Sequence, residues 1–158
     1  MASGEKLATI LEREIDNLKT LQSIVDREYE ALADANIPTI EGLVAEKNRA
    51  LATQAELAKS RQDIVQQHSF EDTPDGLLRF IDECDNRETL STAYQHLSTL
   101  ARDCRDSNRA NGRLISQKQR QAAGALDVLR KTDSKSSIYS SQGKTSLAGE
   151  KGRTLGKV

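Results

Sequence analysis

From Leu7 to Leu32 the apolar residues step by four and three, and the positions they mark are Leu7, Leu11, Glu14, Leu18, Leu21, Val25, Glu28 and Leu32. This is a heptad seam over more than three repeats, so the stretch is confined to an amphipathic helix with one face laid on another helix. Ile10, Ile15, Ile24 and Tyr29 widen that face. Two seam positions hold glutamate, so the partner helix has to accommodate two carboxylates.

The partner follows at once. Asn36-Ile37-Pro38-Thr39 interrupts the pattern, because proline is barred from helix interiors and accepted in a first turn. A second helix then carries Ile40, Val44, Lys47, Leu51, Gln54, Ala58, Arg61 and Ile64 or Val65 along its seam. A connection this short makes the two helices antiparallel, and a turn centred near 37 to 38 gives facing residues a constant sum of 75. Leu32 then meets Leu43, Val25 meets Ala50, Leu18 meets Leu57 and Leu11 meets Ile64. On the same register Glu28 faces Lys47 and Glu14 faces Arg61, so both seam acids fall opposite seam cations. Two readings fit. Either the charges pair and penalise a slipped alignment, or all four sit at the seam margin and reach water.

Ser69 to Gly76 gathers turn formers and a proline into the main loop. Leu77 to Cys84 has the apolar content of a short helix, with Leu77 and Phe80 inward, and Asn86 is placed to cap a third helix with Glu88 in its first turn. That helix, about 86 to 131, is some 45 residues or roughly 65 Å at about 1.5 Å per residue. Two helices of about 30 residues do not cover that length. Its apolar or small positions run Leu90, Ala93, Leu97, Leu100, Cys104, Ile115, Ala122, Leu126 and Leu129, and the seam fails midway, where Asn108 and Asn111 stand in place of core residues and Gly112 follows. Glycine there costs roughly 1 kcal/mol relative to alanine. The weakened seam marks a boundary: Leu90 to Cys104 belongs to a three-helix core, and Leu114 to Leu129 is available to something else. The expected architecture is all-α, an antiparallel hairpin plus a long third helix, with residues 1–131 one helical domain (helices about 4–34, 38–67 and 86–131) and residues 132–158 a flexible, disordered tail.

Only 3% of residues are aromatic, against 36% hydrophobic and 30% charged, which favours helices over a sandwich or barrel. Residues 1–130 hold 17 Lys and Arg against 22 Asp and Glu, a net −5, while residues 131–158 hold 6 against 2, a net +4. A basic tail suits nucleic acid or plain solvation. With no aromatic interleaving and no basic helix beside it, solvation is the expectation, and no nucleic-acid partner is assigned. Lacking an apolar run of membrane length and a signal-peptide core at Met1 to Lys6, the chain is expected in the cytoplasm, without membrane insertion.

Catalytic equipment is missing from the pattern. Gly143-Lys144-Thr145 ends a phosphate-loop motif, but Ile138 occupies the position of its first glycine. His68 and His96 have no ligands at metal spacing, and Cys84 and Cys104 read as small packed side chains rather than a metal knuckle or disulfide. The expectation is a protein with no enzyme activity, cofactor, metal or catalytic residue, whose work is binding. Leu114, Ile115, Lys118, Ala122, Ala125, Leu126 and Leu129 form a stripe kept shallow by Gly124 and by alanines, a surface a second helix can approach closely. Packing of that stripe on the chain's own hairpin is the competing reading.

Asn-x-x-Asn-Gly-x-Leu-Ile, here Asn108, Asn111, Gly112, Leu114 and Ile115, is followed by Tyr-x-x-x-Gly, here Tyr139 and Gly143. Together they resemble the C-terminal signature of the FlgN family of flagellar export chaperones, the first two helices are similar to that family's N-terminal half, and the whole resemblance covers roughly residues 5 to 145. Ser140-Ser141-Gln142 departs from the family's usual residues before the glycine. The resemblance implies a cytosolic chaperone of the type III flagellar export system. Such a protein binds the C-terminal amphipathic helices of hook-filament junction proteins, stops premature assembly and brings them to the export gate. It implies client contact by Asn111, Gly112, Leu114, Ile115, Lys118, Ala122, Ala125, Leu126 and Leu129, and contact of Tyr139 and Gly143 with the cytoplasmic domain of the gate protein FlhA. The expected state is a monomer or weak homodimer. The alternative from another class is a structural coiled-coil scaffold in which the third helix pairs with itself.

Overall fold

The protein is described by a computed structural model that covers the backbone of residues 2–144 and the side chains of residues 3–135. Four helices make up these residues, α1 (Ala2–Ala33), α2 (Ile37–Gln67), α3 (Pro74–Asp82) and α4 (Arg87–Lys144), with no strand among them. The α1–α2 turn is built as its sequence dictates. Ala35 takes φ 52°, the Asn36 amide closes back on Ala31 O at 3.0 Å, and the Asn36 side chain accepts from the Thr39 amide to cap α2, with Pro38 in the first turn.

The register of the hairpin follows the constant sum. Lys47 Nζ lies 2.7 Å from Glu28 Oε2, and Arg61 Nε lies 2.9 Å from Glu14 Oε2. Both glutamates are buried, at 1% and 0% exposure, so pairing rather than escape to water describes them. Leu11, Leu18, Val25 and Leu32 of α1 are buried, as are Leu43, Ala50 and Leu57 of α2. Tyr29 does not join the core and stands 57% exposed, and Val44 and Leu51 are turned outward. The α2 stripe that packs is therefore the one residue earlier, 43, 50 and 57.

α3 closes one end. Thr73 caps it by accepting from the Gly76 amide, and a Cβ on Gly76 would collide with the Glu71 carbonyl. Leu77, Phe80 and Ile81 are buried, His68 stacks on Phe80 with ring centroids 5.1 Å apart, and Phe70 meets the same ring edge-on. Asn86 does not use its side chain as a cap. Its amide donates to Gly4 O at 3.3 Å and ties the start of α1 to the start of α4.

From there α4 runs parallel to α1. Cys104 Sγ donates to Leu18 O, and Asn111 donates to Val25 O, so partners climb both helices together. Leu90, Leu97 and Cys104 are buried, and burial pushes the Cys104 thiol up, helped by nearby Asp103 and Asp26. α4 does not stop at Lys131 but continues to Lys144. Thr132 Oγ1 donates to Val128 O and Ser134 Oγ to Lys131 O, so hydroxyls that compete with helix elsewhere bond to the helix's own carbonyls here. The remainder of the expected tail, residues 145–158, lies outside the described residues.

Candidate functional site

The interruption in the apolar seam of α4 is where three helices are joined. Asn111 is 2% exposed, and its Nδ2 donates to Glu28 Oε1 at 3.0 Å and to Val25 O at 2.9 Å. One turn earlier, Asn108 Oδ1 accepts from Lys47 Nζ at 3.2 Å. α1 supplies the carboxylate, α2 the ammonium and α4 the two amides that satisfy what the ion pair leaves over. A buried charge without such partners would be costly, so the asparagines are the counterpart of the polar hairpin seam rather than a defect in α4.

Glu14 is handled differently. Arg61 reaches it through two nitrogens, at 2.9 and 3.4 Å, and Gln54 Nε2 donates at 3.1 Å while its own oxygen accepts from Asn17. All of these groups come from α1 and α2. Burial pushes the Glu14 carboxyl above its usual range, and the Arg61 charge and hydrogen bond pull the other way.

The expected client-contact residues separate on this geometry. Asn111 is committed to the interior, so its amide is not part of an exposed stripe. Gly112 does not interrupt α4, and a Cβ there would meet nothing within 4 Å, so no close approach demands glycine. Leu114 and Ile115 are half-buried. The chain then divides into two compact units, Met1–Ile115 and Ser116–Val158, just past the asparagine pair. In the second unit Lys118 is half-buried, Ala122 and Ala125 are exposed, and Leu126 and Leu129 are 58% and 60% exposed. Val128, absent from the expected stripe, is 63% exposed. Asp127 and Lys131 pair across one turn at 3.0 Å in solvent. Tyr139 and Gly143 fall in the helical backbone of α4, and the Tyr139 side chain lies outside the described residues.

Sequence reasoning missed the outward apolar residues of α2. Ile37, Val44 and Leu51 are 59%, 39% and 47% exposed, and their seven-residue spacing was the available signal. Among the described residues no three His, Cys, Asp or Glu side chains gather as a metal site, and no helix is long and apolar enough to cross a membrane.

Comparison with known proteins gives a consistent result. The family model described as FlgN protein matches residues 1–147. Two flagella synthesis proteins FlgN of Yersinia enterocolitica are similar at 28% and 29% identity over 154 residues, covering 96% of this chain and 97% of theirs. A crystal structure of a flagella synthesis protein from Pseudomonas aeruginosa superposes with a TM-score of 0.65 over 71% of this chain and 88% of that one, and at 23% identity it speaks to the fold.

Proposed function

The chain belongs to the FlgN family, whose members are flagella synthesis proteins, and from that premise we propose that it is a non-enzymatic, cytoplasmic export chaperone for hook-filament junction proteins. The observation that carries this reading is the exposed apolar surface of residues 116–135, where Leu126 and Leu129 lie three residues apart beside Ala122 and Ala125. An amphipathic C-terminal helix of a client lays its apolar face over these leucines, and the alanines let the two backbones approach. A client segment that folds as it binds loses ordering entropy, which keeps the complex releasable at the export gate. Lys118 borders the stripe and complements an acidic flank on the client. Tyr139 and Gly143, on the last turns of α4, contact the cytoplasmic domain of FlhA.

The test is co-purification with a junction protein that carries or lacks its C-terminal helix. Retention is expected for the intact client alone. Equal retention of the truncated client contradicts the proposal, and a concentration-dependent homodimer that excludes the client supports the coiled-coil scaffold instead. Replacing a buried leucine contact is worth about 1.5–3 kcal/mol, so Leu126→Gln should weaken client binding by about tenfold or more.

A further inference from the structure

α2 carries two neighbouring apolar stripes, each of seven-residue period. Leu43, Ala50 and Leu57 are buried on α1. Ile37, Val44 and Leu51, offset by one position, are left in solvent. Beside Leu51 the three-helix body is open between α2 and α4, in a cleft of about 290 Å³ floored by Leu18, Leu21 and Val25 of α1, with Ala101 and Arg105 on its α4 wall. The slot thus opens over buried core side chains and is flanked by a heptad stripe, which is the geometry that receives a helix.

The charge around the slot selects that helix. Its lining includes two cations, Lys47 and Arg105, and no acid. Lys47 is neutralised by Glu28, whereas Arg105 has no ion pair among the described residues. We propose that the α2/α4 groove of Met1–Ile115 docks an amphipathic helix of a partner protein, with apolar residues in heptad spacing along Val44 and Leu51 and an acidic residue against Arg105. The proposal rests on the three-helix body alone and does not depend on client binding by the distal leucines.

The test uses the full chain and two fluorescent three-heptad helical peptides with leucine at the core positions, one flanked by glutamate and the other by lysine. The glutamate peptide is expected to bind about fivefold more tightly at low salt. Leu51→Gln should weaken it about tenfold with an unchanged melting temperature, since Leu51 is already 47% exposed. Arg105→Glu should reverse the preference to the lysine peptide. Leu78→Gln, an exposed leucine of α3 outside the groove lining, should leave both affinities unaltered. The proposal is overturned if the peptides bind equally well, or if loss follows Leu78→Gln rather than Leu51→Gln. It is also overturned if sedimentation shows a homodimer that Leu51→Gln dissociates, which would place a second copy of the chain in the groove.

Discussion

Two buried glutamates sit on the same face of α1, two helical turns of seam apart in each direction from its centre, and the molecule answers them with different reach. Glu14 is satisfied by Arg61 and Gln54, both from α2. Glu28 is satisfied by Lys47 from α2 and by Asn111 from α4. The first cluster aligns a hairpin. The second aligns the hairpin and at the same time sets where the third helix stands along it, because Asn111 also holds Val25 O. Buried polar groups of this kind select register more than they add stability, and here one group selects two registers.

The contrast is most strongly tested by charge reversal. Glu28→Lys places a buried cation against Lys47 and leaves Val25 O as the one remaining acceptor of the two that Asn111 Nδ2 has here, so a loss of about 3–5 kcal/mol is expected in chemical denaturation. For a domain holding about 5–15 kcal/mol in total, that is a large share. Combining it with Lys47→Glu should restore the ion pair but not the Asn111 bond, leaving a residual deficit of about 1.5–3 kcal/mol. Full restoration would mean that α4 is not part of the register device.

A smaller effect separates the two clusters by their amides. Asn111→Leu removes a donor to a fully buried carboxylate and should cost about 1.5–3 kcal/mol. Gln54→Leu should cost less, about 0.5–1.5 kcal/mol, because Arg61 still spans both Glu14 oxygens and Gln54 is only half-buried. Equal losses would erase the distinction between a two-helix and a three-helix cluster.

Gly112 provides a change of the opposite sign. It lies next to Asn111 in unbroken helix with room for a methyl group, so Gly112→Ala should stabilise by up to about 1 kcal/mol. If instead it destabilises, or lowers client affinity, α4 bends at this point when it works.

The least effect is a slope. Because burial raises the folded Glu14 carboxyl above its usual 4.5, the folded protein holds that proton more tightly than the unfolded chain. Its contribution is present below the unfolded value and is lost as pH rises through the folded one. Stability measured from pH 4 upward should therefore gain less with rising pH in the wild type than in Glu14→Gln, where this titration is gone. Parallel profiles would show that Arg61 offsets the burial completely.

Much of this is legible in the sequence. Opposite charges at a constant sum made the hairpin register readable, since a slip of one heptad would leave Glu14 or Glu28 unanswered. The boundary near Asn111 was readable too, but not its cause. A polar residue in a seam looks like a weakness until its partner is known, and the partners of Asn108 and Asn111 are 61 and 83 residues away in the chain. On α2, heptad spacing marked Val44 and Leu51 while the constant sum marked Leu43, Ala50 and Leu57, and the buried stripe is the one on the register that also pairs Glu28 with Lys47 and Glu14 with Arg61. The end of α4 was placed too early because serine and threonine favour loops in isolation, while here they bond back to the preceding turn. Exposure of Leu126 and Leu129 followed from the length of the third helix, which two helices of about 30 residues do not cover.

α4 carries asparagines that hold the fold and, in the proposed function, leucines that hold the partner. Calorimetric titration of a junction protein's C-terminal helix into the Leu126→Gln/Leu129→Gln protein tests that division most directly. Affinity is predicted to fall by about tenfold or more with the melting temperature unchanged. Undiminished affinity in that variant, with binding lost in Asn111→Leu while its fold persists, would contradict it.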